Sequence, residues 1–300
     1  MNNKLAYFYA ISAIMFWSTA AVAFKIALKY MDFIHLLFFS AITSFSILIS
    51  ILIIKKEFLT LFHFKPTQYL YSAFLGFLNP FAYYMILLKA YSILPAQIAQ
   101  PLNYTWPILL VVFSVPLLKQ KLSNKSIIAI IISFFGVILI SSKGNPFLLK
   151  IDQPFGVFLA SSSAVVWALF WIFNVKDNRE EIIKLTLSFF FSIVFISITI
   201  LFFTEFEIPN YKGLLASVYV GFFEMGFTFI LWLKALQLTS KVEKISNLVF
   251  ISPFFSLIWI HLILGENIYL TTILGLIFII SGIFIQQLKK RANTHKINEH

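Results

Sequence analysis

The 300-residue chain contains no cysteine, so it has neither a disulfide framework nor a thiol nucleophile. Charge is scarce as well: Asp, Glu, Lys and Arg make up 12% of the residues, against 60% hydrophobic residues and 37 phenylalanines. A soluble domain of this size would need far more polar surface to stay dispersed. No glycine-rich phosphate loop is present, which argues against ATP-driven work by this chain alone. His261 and Glu266 lie five apart, but no HExxH, CxxC or paired-carboxylate arrangement accompanies them. Neither a metal site nor an intramembrane protease site is expected, and no cofactor.

What the chain does have is apolar runs of about 20 residues, enough to cross a hydrocarbon core of roughly 30 Å as helix. They fall near 5–24, 33–54, 69–91, 96–118, 126–142, 155–175, 183–203, 212–235, 245–264 and 269–288. The expected fold is an all-α integral membrane protein with ten transmembrane helices and no room for a soluble domain. The net charge of +11 does not point to nucleic acid, because the lysines sit in the breaks between runs rather than along one stripe. With the N-terminus inside, 17 Lys and Arg fall in cytoplasmic segments, among them Lys55, Lys56, Lys119, Lys121, Lys125, Lys241, Lys244 and Lys289-Lys290-Arg291, against 6 outside. By the positive-inside rule both termini are cytoplasmic and the protein is multi-pass in the cytoplasmic (inner) membrane. Lys4, the first run and Ala21-Val22-Ala23 also resemble a secretory signal. A matching segment around Trp167 lies in mid-chain, where a cleaved signal cannot occur, and this favours a retained span.

The chain repeats itself. Ser72, Gly76, Asn79 and Tyr83 match Ser217, Gly221, Glu224 and Thr228 at an offset of 145, and Lys89-Ala90 matches Lys234-Ala235 at the same offset. The spacing i, i+4, i+7, i+11 puts each set on one helix face. At an offset of 150 Trp17 meets Trp167; at 146 Leu102 meets Leu248, Pro107 meets Pro253, Leu118 meets Leu264 and Gly136 meets Gly282. Each copy holds five runs, and an odd number inverts the second copy. Inverted repeats place two interconvertible faces about an axis in the membrane plane, a pattern of transporters that channels and receptors do not need. The domains read from this are a first five-helix repeat over 1–145, a second, inverted one over 146–290 and a cytoplasmic tail over 291–300. The join lies between Ser141 and Pro154, where Gly144, Asn145, Pro146, Asp152 and Pro154 break the helical pattern.

Glu224 stands near the middle of its run, where a charge costs about 2.5 to 3.5 kcal/mol on insertion scales. It must face a cavity, find a partner or carry a proton, so it is the first candidate for substrate binding and for proton coupling; a neutral hydrogen bond between packed helices is the rival reading. Asn79-Pro80, its counterpart, removes a backbone donor at the same depth and is expected to kink or open the third span, with Asn79 a further candidate substrate contact and the site lying between Asn79 and Glu224. The fourth run starts with Gln97, Gln100, Pro101, Asn103, Tyr104, Trp106 and Pro107, polar for a membrane helix. Gln100, Asn103 and Tyr104 are candidate substrate contacts, with Ser246 answering Gln100 across the repeat, against the alternative of interhelical hydrogen bonds. Thr228 completes the second polar stripe. Trp17 and Trp167 sit mid-span, away from the interfacial belts, and would suit the walls of a cavity for a flat or cationic ligand as well as plain core packing. Lys89 and Lys234 read as helix-closing cations that reach the headgroups. His35, His63, His295 and His300 are expected in solvated loops or the tail, and the cluster from Lys176 to Lys184 with Asp177, Arg179, Glu180 and Glu181 in a solvated charged loop.

These residues resemble the drug/metabolite transporter superfamily, in particular its ten-helix members with two EamA domains. The resemblance spans nearly the whole chain. It rests on Phe16-Trp17-Ser18, Lys89-Ala90, Pro107 and Gly136 in the first half, and on Gly221 to Gly226, Trp232 to Leu236, Pro253, Leu264-Gly265-Glu266, Gly275 and Gly282 in the second. It implies a secondary carrier or facilitator of metabolites with a cavity lined by spans 1, 3, 4, 6, 8 and 9. Asn103-Tyr104-Thr105-Trp106-Pro107 is similar to a segment of the aromatic amino-acid exporter branch. Two departures stand out: Glu224 itself, and Lys119-Gln120 where the second half keeps Gly265-Glu266.

The expectation is therefore a transporter of a small organic metabolite, an amino acid or related zwitterionic or cationic compound, working by alternating access either with proton coupling or as a facilitator, with the lipid bilayer as its surroundings and no nucleic acid or obligate protein partner. The alternative class is an integral membrane enzyme acting on a lipid or isoprenoid substrate. It would need Asp, His or Arg clustered at a loop mouth, and the chain is read as not an enzyme.

Overall fold

The computed structural model describes residues 3–118, 124–145, 153–239, 245 and 248–287. Among these all regular structure is helical: α1 (Asn3–Ala27), α2 (Phe33–Ile54), α3 (Pro66–Gly76), α4 (Tyr83–Ile93), α5 (Ala96–Asn103), α6 (Trp106–Leu118), α7 (Asn124–Ser141), α8 (Pro154–Val175), α9 (Glu181–Phe203), α10 (Tyr211–Tyr219), α11 (Phe227–Leu238), α12 (Ser252–Leu264) and α13 (Leu270–Gln287). A π-helical segment, Phe77–Ala82, joins α3 to α4, and a second, Val220–Gly226, joins α10 to α11. Seven runs are long and apolar enough to cross a membrane: Lys4–Ala27, Phe33–Ile54, Pro66–Ile93, Ala96–Leu117, Pro154–Val175, Glu181–Phe203 and Tyr211–Leu238. Three further apolar helices, Ile127–Ser141, Leu248–Leu264 and Leu270–Ile285, are shorter. Ser246, Lys119 to Lys121, Lys241, Lys244, Pro146, Asp152 and the tail with Lys289, Lys290, Arg291, His295 and His300 lie outside the described residues.

Helices start where the sequence supplies caps. Asp32 accepts the N–H groups of Ile34 and His35 at 2.7 and 3.1 Å, Glu180 accepts that of Ile183 at 3.0 Å, and Asn210 that of Gly213 at 3.0 Å. Lipid-compatible Phe, Leu and Ile cover the outer surface, so the driving force between helices is close packing and interhelical hydrogen bonding rather than hydrophobic burial. Small residues make that possible. A Cβ on Gly76 would strike the Ser188 carbonyl, and one on Gly221 the Ser40 carbonyl. There α2 packs on the second π segment through hydroxyls: Ser40 donates to Ser217 O at 3.0 Å and Ser44 to Gly221 O at 2.7 Å. Likewise α7 lies along α13, with a Cβ on Gly136 only 2.6 Å from Gly275 O and one on Gly282 only 2.7 Å from Ala129 O. α1 packs against α11 and α12, and α8 against α4, α5 and α6.

Several expectations are corrected. The fourth run is not one helix: α5 ends at Asn103 and α6 begins at Trp106, because Pro107 has no N–H to return to the Asn103 carbonyl. Lys89 and Lys234 do not close their helices, which run on to Ile93 and Leu238; their ammonium groups lie 5.0 Å over Phe33 and 5.8 Å over Tyr9. His35 is buried in the first turn of α2, its Nδ1 on the Asp32 carboxylate and its Nε2 accepting the Glu207 N–H at 3.1 Å. His63 is the exposed one.

The largest correction concerns the loop between α8 and α9. Lys176 and Glu180 are exposed as expected, but the side chains of Asp177, Arg179 and Lys184 are buried. Arg179 grips Asp177 through Nε at 3.0 and 3.1 Å and Nη2 at 2.5 Å, and Nη2 reaches Ser72 on α3 at 2.8 Å. Lys184 is buried beneath, donating to Asp177 O at 3.0 Å and to the Glu181 carboxylate at 2.7 Å. The pattern of a charge run is the same whether it faces water or carbonyls. Here the start of α3 supplies the polar lining.

Burial acts to raise the Asp177 carboxyl, but the Arg179 guanidinium and N–H outweigh it and hold the group below the usual carboxylate value. A depressed folded value means the stabilisation is fully present above the ordinary aspartate range and is lost as pH falls through the folded one. Asp177→Asn is therefore expected to lower stability at pH 7 by about 3 kcal/mol, since it leaves a buried guanidinium uncompensated. Thermal unfolding in detergent checks this, and the gap to the unmodified chain should narrow below about pH 4.

Candidate functional site

Both long broken spans open at corresponding positions, Phe77–Ala82 and Val220–Gly226. In the first, Asn79 is extended (φ −149°, ψ 126°), its peptide to Pro80 is cis, and the chain widens into a π turn. In the second no proline intervenes, yet Val220–Gly226 is π-helical and Gly226 leaves helical geometry at φ −110°, ψ −87°. A π turn leaves backbone carbonyls out of the regular ladder, and other groups must take them. The Trp17 indole N–H donates to Glu224 O at 3.2 Å, the Ser44 hydroxyl to Gly221 O, and the Thr228 hydroxyl to Phe223 O.

The Glu224 side chain projects from this opened turn. The Tyr84 hydroxyl, on a fully buried ring of α4, donates to its Oε1 at 3.2 Å. Its Oε2 is shielded from solvent and has no hydrogen-bond partner. No ion pair reaches the carboxylate among the described residues. Tyr83, Tyr91 and Tyr104 also lie within electrostatic reach of it.

A chain of neutral hydrogen bonds runs beside this acid. The Tyr83 hydroxyl donates to Asn103 Oδ1 at 3.1 Å, Asn103 Nδ2 to Ser163 Oγ at 2.8 Å, and Ser163 to Ala160 O at 2.6 Å. It ties α4, the break between α5 and α6, and α8 together. Aromatic rings form the rest of the surroundings. Trp167 stacks on Tyr83 with centroids 4.5 Å apart, Trp17 meets Trp232 at 5.4 Å, and Phe229 stands 5.7 Å from Trp17 and 6.2 Å from Trp167. Trp17, Trp167 and Glu224 keep partial exposure although Tyr83, Tyr84, Asn103 and Phe229 beside them are buried.

A second polar grouping lies at the end of α1, about 12 Å along the helix from Trp17. Lys25 donates to Tyr91 O at 2.9 Å and Leu94 O at 3.1 Å, at the carboxyl end of α4. Glu266 accepts the N–H groups of Ala96 and Gln97, at 2.9 and 3.2 Å, which open α5. Each charge complements the helix dipole it touches. Gln97 adds bonds to Asn267 O at 2.9 Å and from the Tyr269 N–H at 2.9 Å. An open cleft of about 470 Å³ is lined by these residues with Lys143 and Gln153. Its Lys25, Gln97 and Glu266 are occupied by the backbone they hold, so the cleft is secondary to Glu224. Among the described residues no group of three His, Cys, Asp or Glu could hold a metal ion.

This fold matches a solved crystal structure with a TM-score of 0.67 over 95% of this chain and 97% of that one, at 18% identity, which bears on the fold alone. The model of the EamA-like transporter family matches residues 4–142 and 154–286. The chain belongs to the EamA-like transporter family. It is similar to an uncharacterized transporter of Clostridium kluyveri, 30% identical over 206 residues that cover 61% of this chain and 64% of that protein. An uncharacterized transporter from Acidianus ambivalens is 28% identical over 202 residues (65% of this chain and 75% of that protein), and YvbV of Bacillus subtilis, also an uncharacterized transporter, is 24% identical over 228 residues (75% and 72%).

Of the residues singled out in this EamA-like chain, Glu224, Trp17, Asn103, Tyr104 and Trp167 gather around the opened turns. Asn79 and Gln100 are buried, each with a side-chain oxygen lacking a partner. Asn79 does not supply the group that meets Glu224: its segment packs against α8 and α9, whereas that of Glu224 packs against α1 and α2. The hydroxyl that arrives from the third span belongs to Tyr84. Ser163 shares the Trp167 face of its run, whereas Tyr84 and Phe229 were not evident from the sequence. Tyr84 directly follows Tyr83 of the repeated stripe, and the π turn before it changes which of the two points at the acid. Asn103→Leu, close in volume, should leave the Tyr83 and Ser163 hydroxyls with one partner fewer and cost about 1 to 3 kcal/mol, read as a fall in unfolding temperature in detergent.

Proposed function

We propose that this chain is a secondary transporter that moves a small organic metabolite, an amino acid or a related zwitterionic or cationic compound, across the cytoplasmic membrane by alternating access, with Glu224 as both cargo contact and proton-exchanging group. The observation that carries the reading is the Glu224 carboxylate itself, desolvated at mid-span with one oxygen on Tyr84 and the other without a partner. Such a group is costly in a bilayer and marks a substrate or proton pathway. Tyr84, Asn103, Tyr104, Trp17 and Trp167 complete the site in this reading, with Asn79, Gln100 and Thr228 at its margins.

Two inverted five-helix halves, 1–145 and 146–290, with the tail 291–300 and both termini cytoplasmic, form the moving parts. The family match in two segments supports this, as do the paired close approaches: Gly76 against α9 is answered by Gly221 against α2, and Gly136 against α13 by Gly282 against α7. In the alternating-access scheme the Lys25 and Glu266 clamp holds one end of the bundle shut by tying α1 and the turn before α13 to the turn between α4 and α5. Gln120, which answers Glu266 across the repeat, has no charge to do the same at the other end. Proton exchange at Glu224 follows from having a single carboxylate that can hold either a proton or a cargo group.

In proteoliposomes a pH gradient is expected to drive accumulation of cargo by the unmodified chain. Glu224→Gln, still folded and monodisperse, should lose gradient-driven accumulation by tenfold or more. Full activity in that variant would overturn the proton role.

A further inference from the structure

Resting on the transport reading, we infer that the cargo bound at Glu224 is an organic cation with an aromatic or apolar body rather than a zwitterion. The site has one negative group with a vacant acceptor: Oε2 of Glu224 has no partner, and Oε1 receives only the Tyr84 hydroxyl. Its walls are π faces. Trp17 and Trp167 converge on Phe229, and Trp167 lies on Tyr83, so an ammonium group placed at the carboxylate would also meet rings that attract it through their quadrupoles.

The complementary group for a cargo carboxylate is missing among the described residues of the site. The cations that enter the spans are held elsewhere: Lys25 by the carbonyls of Tyr91 and Leu94, Arg179 by Asp177 and Ser72, and Lys184 by Glu181 and Asp177. Lys89 and Lys234 lie over Phe33 and Tyr9. Broken helices can receive a carboxylate on the free N–H groups of a new helix start. Here several of those N–H groups are already taken. At α6 Pro107 has no N–H, and Ile108 and Leu109 both donate to Thr105 O; at α11 the Phe227 N–H donates to Phe222 O. A zwitterion would therefore bring a second carboxylate close to Glu224 in a low-dielectric interior with no cation among the described residues to balance it, and like charges there repel strongly. A cation replaces the proton one for one.

The discriminating probes are tryptamine, L-tryptophan and indole-3-propionate, which share one ring and differ in charge. Binding is measured by titration calorimetry on the full chain in detergent, for the unmodified protein, Glu224→Gln and Glu224→Asp. Tryptamine should bind at least tenfold more tightly than tryptophan, lose that binding in Glu224→Gln and retain it, weakened, in Glu224→Asp, which guards against a folding defect in the first variant. Indole-3-propionate should not bind. Tryptophan binding as tightly as tryptamine, or tryptamine binding unchanged in Glu224→Gln, would overturn the cation assignment while leaving transport intact, and so would failure of all three to bind. A probe that binds as expected but is not accumulated in proteoliposomes under a pH gradient would overturn the underlying carrier reading instead.

Discussion

Everything central in this molecule depends on one desolvated carboxylate kept inside a helix that has been opened to make room for it. A regular α-helix satisfies its own backbone and has no spare polar groups at mid-bilayer. The π segment at Val220–Gly226 gives up that self-sufficiency, and Trp17, Ser44 and Thr228 take the carbonyls that result. Glu224 is thus held by its backbone from α1 and by one oxygen from α4, while its second oxygen has no partner among the described residues. An unmatched buried acceptor costs of the order of 1 to 3 kcal/mol, so a stable packing motif would not leave one without reason.

The surroundings make that cost tolerable. Close approaches at Gly76, Gly136, Gly221 and Gly282 let backbone pack on backbone, and serine hydroxyls convert several of these crossings into hydrogen bonds. At the two ends of the bundle the charges are spent on structure: Lys25 and Glu266 grip the turn between α4 and α5, Arg179 ties the turn between α8 and α9 to Ser72 of α3, and Lys184 holds that turn from within. Glu224 has no ion pair among the described residues, and unlike Glu266 it is not held by backbone N–H groups either. Its isolation is produced by where the cations went.

Much of the fold was legible as hydropathy, because a run of 20 apolar residues has few alternatives. The repeated stripe was also readable: Ser72, Gly76, Asn79, Tyr83, Ser217, Gly221 and Thr228 are all buried, as a shared helix face requires. The break at Asn79-Pro80 announced itself through proline. The break at Val220–Gly226 did not, since it depends on donors from α1 and α2 that sequence spacing cannot pair with it. For the same reason Tyr84 was invisible as the partner of Glu224: a π turn shifts the face by a residue, and period-3.6 reasoning selects its neighbour. Composition places Lys176 and Glu180 correctly at the surface, but not Arg179 and His35, whose burial depends on Ser72 and the Glu207 N–H arriving from distant parts of the chain.

The claim that Glu224 is a proton-exchanging group open to cargo can be read chemically. A hydrophobic carbodiimide modifies carboxyl groups that are protonated and reachable from the membrane interior, and peptide mass spectrometry locates the adduct. The account requires modification at Glu224 and its suppression by an organic cation that the protein binds. An unreactive Glu224, or one whose reaction no bound cation slows, would contradict it.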